Sequence, residues 1–252
     1  RRHTRSLCDW SSDVCSSDLS KLNLVLATMK KYKFLIILDD LHNLFSSNQL
    51  AGNYKSDYKD YQYFFKLMDE VNHQSCLILL SQEKPIDGTF IEAKHKSVKT
   101  LTLLGLEDRN VEIFEDFELL DKEEWVTLIN LYQGNPFWLK LTSSLIQELF
   151  LGKVNKFLQQ ENLILGEALR QVLSEELQRL TQSEKIIMTE LAKFNCPVYL
   201  TEIIHQSSFS VADSLNTIHS LTRRLFLTTE QENEEIILHL NPILKAYYRS
   251  LQ

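Results

Sequence analysis

Two short and uniformly apolar runs stand out in the pattern of hydrophobic and polar positions along the chain. Residues 34–38 form the first run and residues 76–80 the second, and a helical pattern that begins near Tyr61 separates them. Runs of this length without polar positions are typical of strands buried on both faces, as in a parallel sheet that helices cover. Strand, helix and strand in this order predict a right-handed parallel crossover, and residues 98–104 are a candidate third strand.

Polar residues follow both predicted strands. Asp39 and Asp40 come directly after the first strand, and Ser81 and Gln82 come directly after the second. Since ligands of parallel sheets bind beyond the carboxyl ends of the strands, these side chains mark a candidate site. An apolar strand that ends in two carboxylates is also the Walker B pattern of P-loop NTPases, where the first carboxylate holds Mg²⁺ and the second orients or activates the attacking water. A buried strand whose next turn begins with aspartate has the same pattern, so both interpretations stay open.

Capping signals and the helical spacing of apolar residues predict helices along the middle of the chain. Asp121 and Glu124 resemble a capping box ahead of one helix. Gly134 supplies a left-handed end to that helix, and Asn135 with Pro136 begins the next one. Capping alone is a sufficient structural reason for Gly134, Asn135 and Pro136.

The last third of the chain has its own order of elements. Thr181 and Ser210 are predicted helix caps, and a short helix is predicted between the helices that they begin. Residues 225–229 and 236–240 are predicted strands around an acidic turn. Three helices and a β-hairpin predict a winged-helix module, and Pro242 begins a final helix after it.

Composition and charge limit the classes of protein to which the chain can belong. Apolar residues make up 44% and charged residues 24% of the chain, as in soluble globular proteins. The net charge of −7 gives no electrostatic footprint for nucleic acid or anionic lipid, and no apolar run approaches the roughly 20 residues of a membrane span. Cys76 and Cys196 are not spaced as metal ligands and are predicted to be small buried hydrophobes, so we expect a reducing, cytoplasmic compartment.

Residues 1–19 have no apolar periodicity, and part of this leader back-translates into what resembles a common sequencing-library adapter. We therefore expect residues 1–19 to be an artefactual, disordered leader and exclude them from the prediction of the fold. A genomic read across the junction that encodes the same peptide without adapter would contradict this expectation.

Seven stretches of sequence follow one another in an order that is specific as a set, although no single one is decisive. They are Asp39-Asp40, residues 52–61, residues 73–76, residues 81–85, Gly105-Leu106, residues 125–136 and residues 179–188. This order resembles the NB-ARC region of STAND signalling NTPases, in particular its bacterial branch, from about residue 21 to the C-terminus. The resemblance implies the α/β C-terminal part of a parallel-sheet P-loop NTPase core, then an all-α helical domain and a winged-helix domain. The implied boundaries are residues 20–104, 105–175 and 176–252.

The resemblance implies roles for the residues that follow the two predicted strands. Asp39 would contact Mg²⁺ through water, and Asp40 would be the catalytic acid of ATP hydrolysis. Gln82 falls where the family has a sensor arginine for the γ-phosphate, and the loss of that charge should weaken ATP sensing or hydrolysis. The implied cofactors are Mg²⁺ and ADP or ATP.

The resemblance also implies that the two later domains close on the nucleotide. Gly134 and Pro136 match the family's Gly-x-Pro, in which the proline packs against the adenine. A histidine of the winged helix usually binds the β-phosphate of ADP in the resting state, and either His239 or Asn241 could hold that position here. We prefer Asn241, because apolar-x-polar-Pro-apolar-apolar fits the bacterial branch. An asparagine can donate to phosphate but cannot carry charge.

A glycine-rich loop of the form Gly-x-x-x-x-Gly-Lys-Ser/Thr is absent from the 252 residues. That loop supplies the backbone cradle, the phosphate lysine and a Mg²⁺ ligand in P-loop NTPases. We expect it upstream of the leader junction, and we expect the present chain alone to bind nucleotide poorly. The expected function is a fragment of a nucleotide-dependent signalling switch, with an ADP-bound resting state, an ATP-bound oligomerising state, an effector domain before it and repeats after it.

Two alternatives from other classes of protein remain. A winged-helix transcription regulator would use residues 210–224 as its recognition helix, but only Arg223 and Arg224 are basic there and the adjacent wing is acidic. A degenerate adaptor would keep the fold without ATP chemistry, and Gln82 in place of the sensor arginine favours it.

Overall fold

The computed structural model of this chain describes residues 17–86, 97–106, 112–160 and 163–251. Within these residues the chain is mixed α and β, rich in helices and with two small sheets. The helices are α1 (Ser17–Lys31), α2 (Lys59–Glu70), α3 (Glu112–Asp116), α4 (Trp125–Leu131), α5 (Pro136–Phe150), α6 (Val154–Leu158), α7 (Glu167–Gln178), α8 (Gln182–Lys193), α9 (Leu200–Gln206), α10 (Val211–Arg223) and α11 (Pro242–Arg249). The strands are β1 (Leu35–Leu38), β2 (Cys76–Leu79), β3 (Val198–Tyr199), β4 (Leu227–Glu232) and β5 (Glu235–Leu240).

The first helix begins inside the predicted leader. Residues 1–16 of the leader lie outside the described residues. Residues 17–19, the last three residues of the predicted leader, form the start of α1. The prediction that the whole leader is disordered is therefore wrong for its last three residues.

Strands β1 and β2 pair in parallel, with Leu35 opposite Cys76 and Leu38 opposite Leu79. Helices α1 and α2 cover one face of this sheet, where they pack apolar side chains such as Met29 and Met68 against it. The other face is open, with Leu35 63% and Ile37 54% exposed. The prediction that both faces are buried is therefore wrong for the described residues.

The candidate third strand, residues 98–104, has no regular secondary structure. Leu101, Leu103 and Leu104 are each at least 80% exposed in it. Apolar side chains alone predicted this strand. A strand also needs a neighbour for its backbone groups, and among the described residues the β1–β2 sheet has two strands only.

One buried apolar cluster runs from Phe114 to Tyr248 and includes the fully buried Trp125 and Leu173. The predicted boundary between residues 175 and 176 falls inside α7, whose buried Leu173 and Leu177 both belong to this cluster. The residues on both sides of that boundary therefore share a core, and the boundary itself stays a prediction. Two smaller clusters lie on the covered side of β1 and β2.

Local capping fixes the ends of several helices. The Asn135 side chain accepts hydrogen bonds from the Phe137 and Trp138 N–H groups, and Pro136 is the first residue of α5. Thr181 and Glu184 form a reciprocal capping box at the start of α8. These caps agree with the sequence pattern.

The predicted capping box at Asp121 is wrong. Asp121 has a left-handed backbone conformation with φ of 59° and makes no side-chain cap. Its Oδ2 atom accepts instead from the Asn155 N–H at 3.0 Å. The tertiary contact with α6 therefore takes the carboxylate that the local pattern assigned to the helix end.

The C-terminal module, which we define as residues 179–251, contains α8 to α11 and the antiparallel sheet in the order β3-β5-β4. Asn233 and Glu234 make the tight turn between β4 and β5, both with positive φ, which suits a two-residue hairpin. The Ser210 side chain caps α10 by accepting from the Asp213 N–H.

Two cysteine predictions are wrong, since Cys76 and Cys196 are both exposed free thiols. Cys76 begins β2 on the open face of the sheet, so the bare face explains its exposure. None of the helices in the described ranges is long and apolar enough to cross a membrane.

Candidate functional site

The loop after β1 presents two exposed carboxylates. Asp39 and Asp40 are both exposed, and the Asp40 N–H donates to Asp39 Oδ1 at 2.9 Å. Asp40 has a left-handed backbone conformation with φ of 53°, which turns the chain into the short 3-10 helix Leu41–Leu44. Mg²⁺ usually keeps several waters and takes one or two carboxylates together with substrate phosphates. The exposed pair fits that requirement, and no cluster of three or more metal-ligating side chains occurs in the described ranges.

His42 lies beneath this carboxylate pair and is largely buried. Its Nδ1 atom is 3.9 Å from Asp40 Oδ1 and makes no hydrogen bond within the described part of the chain. Burial lowers the pKa of His42 below its ordinary value, and the nearby Arg179 guanidinium lowers it further. The neighbouring carboxylates act in the opposite direction without reversing the shift. His42 is therefore favoured in its neutral form beside Asp40.

The loop after β2 leaves the sheet at the same edge as Asp39 and Asp40. The Leu80 N–H donates to Leu38 O and the Leu41 N–H donates to Leu80 O, both at 2.9 Å, which ties the two loops together. Gln82 is exposed in this loop, whereas the next residue, Glu83, is buried. The side chain of Gln82 is thus accessible to a ligand at this edge of the sheet.

The loop between α4 and α5, residues 132–135, crosses Gly105 at close range, and we call it the Gly134 loop. Gly134 has φ of 62°, and its carbonyl accepts from the Leu106 N–H at 2.7 Å. A Cβ on Gly134 would lie 2.4 Å from Leu106 O, and a Cβ on Gly105 would lie 2.0 Å from Gln133 O. Both glycines are therefore required by this backbone contact, independently of any ligand.

A cavity of about 370 Å³ lies between the Gly134 loop and the C-terminal module. Its lining residues come from the loop before α5, from α8, from the segment around β3, from β4 and the two residues before it, from β5, and from the start of α11. The polar side chains and thiol among them belong to Gln133, Cys196, Thr228, His239, Asn241 and Lys245. This volume is within the usual range for small-molecule sites.

Asn241 and His239 both line this cavity, but their side chains are engaged differently. Asn241 Oδ1 accepts from the Ile243 and Leu244 N–H groups and so caps α11. Its amide nitrogen remains the group that can donate to a ligand. His239 Nε2 lies 3.2 Å from Glu230 Oε2 across the hairpin, without hydrogen-bond geometry.

Lys245 is a cation on the cavity wall that sequence reasoning missed. No hydrogen bond or salt bridge joins its Nζ atom to the rest of the described chain. Burial lowers the pKa of Lys245 below its ordinary value, and the Arg249 guanidinium lowers it further, with Cys196 acting in the opposite direction. Lys245 lies four positions after Asn241 in the predicted final helix, but this spacing alone does not show that its side chain lines a cavity.

The structure brings together some of the predicted site residues and leaves others apart. His239 and Asn241 share the cavity with Gln133, the neighbour of Gly134. Asp39, Asp40 and Gln82 lie at the edge of the β1–β2 sheet and do not line this cavity. Pro136 is the first residue of α5, two residues beyond Gly134, and does not line it either.

Arg223 and Arg224, the basic residues on which the transcription-regulator alternative depends, are buried. Arg223 is 8% and Arg224 is 5% exposed. Arg224 forms ion pairs with Glu83 and Glu184, so its charge is neutralised inside the protein. Contacts to nucleic acid phosphates require exposed basic groups, and the two basic residues of the candidate recognition helix do not provide them.

Comparison with known proteins gives a relative in sequence and weak likenesses in structure. No family model matches the chain. The chain is 34% identical over 215 residues to an uncharacterized WD repeat-containing protein of Nostoc sp., and the match covers 81% of this chain. It spans only 17% of the length of that relative.

Two solved structures match 92% of this chain with TM-scores below 0.5. One is the Signal Transduction ATPase with Numerous Domains (STAND) protein with a tetratricopeptide repeat sensor from Pyrococcus horikoshii, with a TM-score of 0.35, 18% identity and 30% of that chain covered. The other is the Aeropyrum pernix ORC2 protein in its ADPNP–ADP complexes, with a TM-score of 0.41, 14% identity and 70% of that chain covered.

Proposed function

We propose that this chain is part of a nucleotide-dependent signal-transduction switch of the NB-ARC/STAND type. ADP holds the resting state closed, and ATP favours an open state that self-associates. Residues 20–104 belong to a P-loop NTPase core, residues 105–175 form a helical domain, and residues 176–252 form a winged-helix domain. Helices α8, α9 and α10 and the β3-β5-β4 sheet of the C-terminal module support the last of these assignments.

The cavity between the Gly134 loop and the C-terminal module is the observation that carries this proposal. It combines His239 and Asn241 with a residue of the Gln133–Gly134 turn, although more than 100 residues of sequence separate them. A ligand that contacts both walls stabilises only the closed arrangement. It therefore shifts the equilibrium by its differential affinity for the closed and open states.

Lys245 supplies the charge that Asn241 lacks. A phosphate group near Asn241 would meet the amide nitrogen of Asn241 and the ammonium group of Lys245 on the same wall. Desolvation, which lowers the pKa of Lys245, is compensated when an anion binds beside it. The wall thus has the chemistry of an ADP phosphate site.

Asp39 and Asp40 are the proposed Mg²⁺ ligand and hydrolytic acid at the edge of the β1–β2 sheet. Mg²⁺, when bound, would neutralise the charge that develops on the phosphate oxygens during hydrolysis. Asp39 would hold its hydration shell, and Asp40 would orient the attacking water. Asp39 Oδ1 already accepts the Asp40 N–H, which fixes the first carboxylate relative to the second.

The whole protein is proposed to carry further domains. The sequence relative from Nostoc sp. is a WD repeat-containing protein of which the present chain matches 17%. We propose that the corresponding gene joins this switch to repeats that sense a signal and to an effector, in the cytoplasm, without nucleic acid or membrane partners.

Nucleotide content of the longer protein tests the proposal. The chain is expressed with the upstream sequence of its gene, purified without added nucleotide, and denatured, and the released nucleotides are separated by ion-exchange chromatography. We expect ADP in near-stoichiometric amount and its loss in Lys245→Gln. Lys193→Gln, which removes an exposed lysine of the same module, is the matched control. Folded protein that is free of nucleotide and does not bind added ADP would contradict the proposal.

A degenerate adaptor is the second candidate, and Gln82 is the observation that favours it. An amide at this exposed position cannot supply the positive charge that a γ-phosphate sensor needs. In the longer protein, Gln82→Arg should raise ATP turnover by about tenfold or more if the rest of the switch is intact. Gln82→Lys is the control of equal charge, and it should restore less because lysine lacks the planar fork of donors. An adaptor would show no turnover in any of the three forms.

A further inference from the structure

Glu83 is a buried carboxylate in the loop after β2, and two arginines from distant parts of the chain hold it. Arg179 Nη2 donates to Glu83 Oε1 at 3.0 Å, and Arg224 Nη1 donates to Glu83 Oε2. Only 4% of the Glu83 side chain and 4% of the Arg224 side chain are exposed. Charges at this depth are stable only when partners replace their hydration.

Glu184 is the second carboxylate of the same network. Its Oε1 atom accepts from Arg224 Nε at 2.9 Å and from Ser220 Oγ at 2.7 Å. Its Oε2 atom accepts from the Thr181 N–H at 2.8 Å, within the capping box of α8. Arg224 therefore joins a residue of the C-terminal module to a residue of the β2 loop. We call Glu83, Arg179, Arg224 and Glu184 the polar latch.

The backbone continues the polar latch across the same boundary. Three N–H groups of the loops after β1 and β2 donate to the C-terminal module. The pairs are Asn48 N–H to Arg179 O at 2.9 Å, Ala51 N–H to Ser220 Oγ at 2.6 Å, and Lys84 N–H to Arg223 O at 3.0 Å.

No buried apolar cluster of the described residues spans this boundary. Across the part of the chain that the structure describes, each buried apolar cluster lies wholly before residue 80 or wholly after residue 105. Hydrogen bonds and ion pairs join the two sides. When such a boundary opens, water replaces the lost partners, so the closed arrangement gives a specific register without being irreversible.

Arg179 connects the polar latch to the loop after β1, which carries the proposed Mg²⁺ ligand Asp39. The same Nη2 atom that binds Glu83 also donates to His42 O at 3.0 Å. His42 is two residues after Asp40, and its Nδ1 atom is 3.9 Å from Asp40 Oδ1. A displacement of the Asp40 loop therefore moves a carbonyl that Arg179 binds, and a displacement of Arg179 releases that loop.

We propose that the polar latch holds the C-terminal module closed on the loops after β1 and β2, and that Arg179 is a positioning residue for Asp40. Opening of the polar latch would accompany the exchange of ADP, and this part of the inference rests on the proposed nucleotide switch. The closure itself belongs to the present chain and does not require a nucleotide.

Amide hydrogen exchange of the present chain tests the closure. The amides of Asn48, Ala51 and Lys84 are direct reporters, because each donates across the boundary. In Glu83→Gln, which keeps the size of the side chain and removes its charge, we expect at least tenfold faster exchange at these three amides. Amides inside α8 should exchange as in the unchanged chain. Glu190→Gln, which breaks an exposed ion pair with Lys193 in the same module, is the matched control and should change none of them.

Arg179→Lys keeps the inference testable if Glu83→Gln fails to fold. Lysine keeps the charge but cannot place planar guanidinium donors on Glu83 and His42 O. We expect faster exchange at Asn48 in this variant. Unchanged exchange at Asn48 in folded Arg179→Lys would overturn the inference. Equal acceleration throughout α8 in Glu83→Gln would also overturn it, because the effect would then be general destabilisation.

Nucleotide release from the longer protein separates this inference from the proposed function. If both hold, Glu83→Gln accelerates ADP release about tenfold and accelerates exchange at the three reporter amides. Faster exchange in a protein that never binds ADP would leave the polar latch standing and contradict the switch. Unchanged exchange in a protein that binds ADP normally would leave the switch standing and contradict the latch.

Discussion

Asn241 and Lys245 are fixed on one wall of the cavity by a helical hydrogen bond, in which the Lys245 N–H donates to Asn241 O at 2.9 Å. Asn241 also begins α11 as its cap, with Oδ1 held by two backbone N–H groups. The amide nitrogen of Asn241 and the ammonium group of Lys245 are thus placed on the same wall by the first turns of one helix.

Substitution of Asn241 separates its capping role from its proposed phosphate role. Asn241→Ala should lower the free energy of unfolding by about 1 kcal/mol, because the cap is lost. Asn241→Asp should keep the cap but place a negative charge against the phosphate. We therefore expect Asn241→Asp to be the more stable variant and the weaker ADP binder in the longer protein. The measurements are thermal unfolding without nucleotide and ADP retention through gel filtration, with the oligomer profile recorded in parallel.

His239→Ala is the comparison for Asn241. His239 lies in β5 beside Glu230, which gives it a structural role in the hairpin, so its loss should release less ADP. Loss of ADP from His239→Ala but not from Asn241→Ala would show that His239 holds the phosphate-binding position. The proposed alignment of the winged helix with the family would then be wrong by two residues. If neither variant releases ADP, the proposed ADP site between the Gly134 loop and the C-terminal module is wrong. The degenerate adaptor then gains support.

The two carboxylates after β1 should have separable effects in the longer protein. Asp39→Ala should weaken Mg²⁺-dependent nucleotide binding, because the proposed metal contact is lost. Asp40→Ala should leave binding close to unchanged and slow hydrolysis by about 100-fold or more, because the carboxylate that orients the attacking water is lost. Nucleotide affinity with and without Mg²⁺, and single-turnover hydrolysis, measure the two effects. Equal losses of affinity in both variants would argue against these roles.

Acid should destabilise the folded chain partly through His42. Its folded pKa lies below the ordinary value of 6.5, first because of burial and second because of Arg179. Below 6.5 the unfolded chain therefore binds the proton more readily, so the free energy of unfolding falls as the pH decreases through this region, down to the folded pKa. His219 acts in the same direction, through burial first and Arg223 second.

Chemical unfolding at about pH 7.5 and about pH 5.5 measures this dependence. The loss of stability between the two values should be smaller in His42→Gln than in the unchanged chain. A loss of equal size in both proteins would show that His42 is not responsible.

Gly134→Ala should destabilise the chain in the absence of any nucleotide. The added Cβ would meet the backbone of Leu106 at 2.4 Å, and φ of 62° is unfavourable for alanine. We expect the free energy of unfolding to fall by about 2–4 kcal/mol. Gly166→Ala is the matched control, because its Cβ would meet only a Leu145 side chain at 3.2 Å. Full stability of Gly134→Ala would leave nucleotide binding as the remaining reason for this glycine.

The candidate site was predictable from sequence only where a local pattern decides it. Asp39 and Asp40 follow an apolar run, and Asn241 precedes a proline that begins a helix, so spacing and capping identify them. Lys245 and Glu83 carry no such signal, because a single charged residue in a helix or loop has the same pattern whether it is exposed or buried. Their roles depend on Arg224, Gln133 and other partners that are distant in sequence.

The sequence by itself determined most of the helices, the strands β1, β2, β4 and β5, and the starts of several helices. Helix caps, glycine turns and apolar spacing act within a few residues, and the boundaries of α5, α8, α10 and α11 follow from them. The tertiary structure alone decided the open face of the β1–β2 sheet, the contact of Gly105 with Gly134, and the burial of Arg224 against Glu83. Burial depends on which elements meet, and two residues 141 positions apart carry no local record of their contact. The same dependence places His239, Asn241 and Lys245 in one cavity with the Gly134 loop.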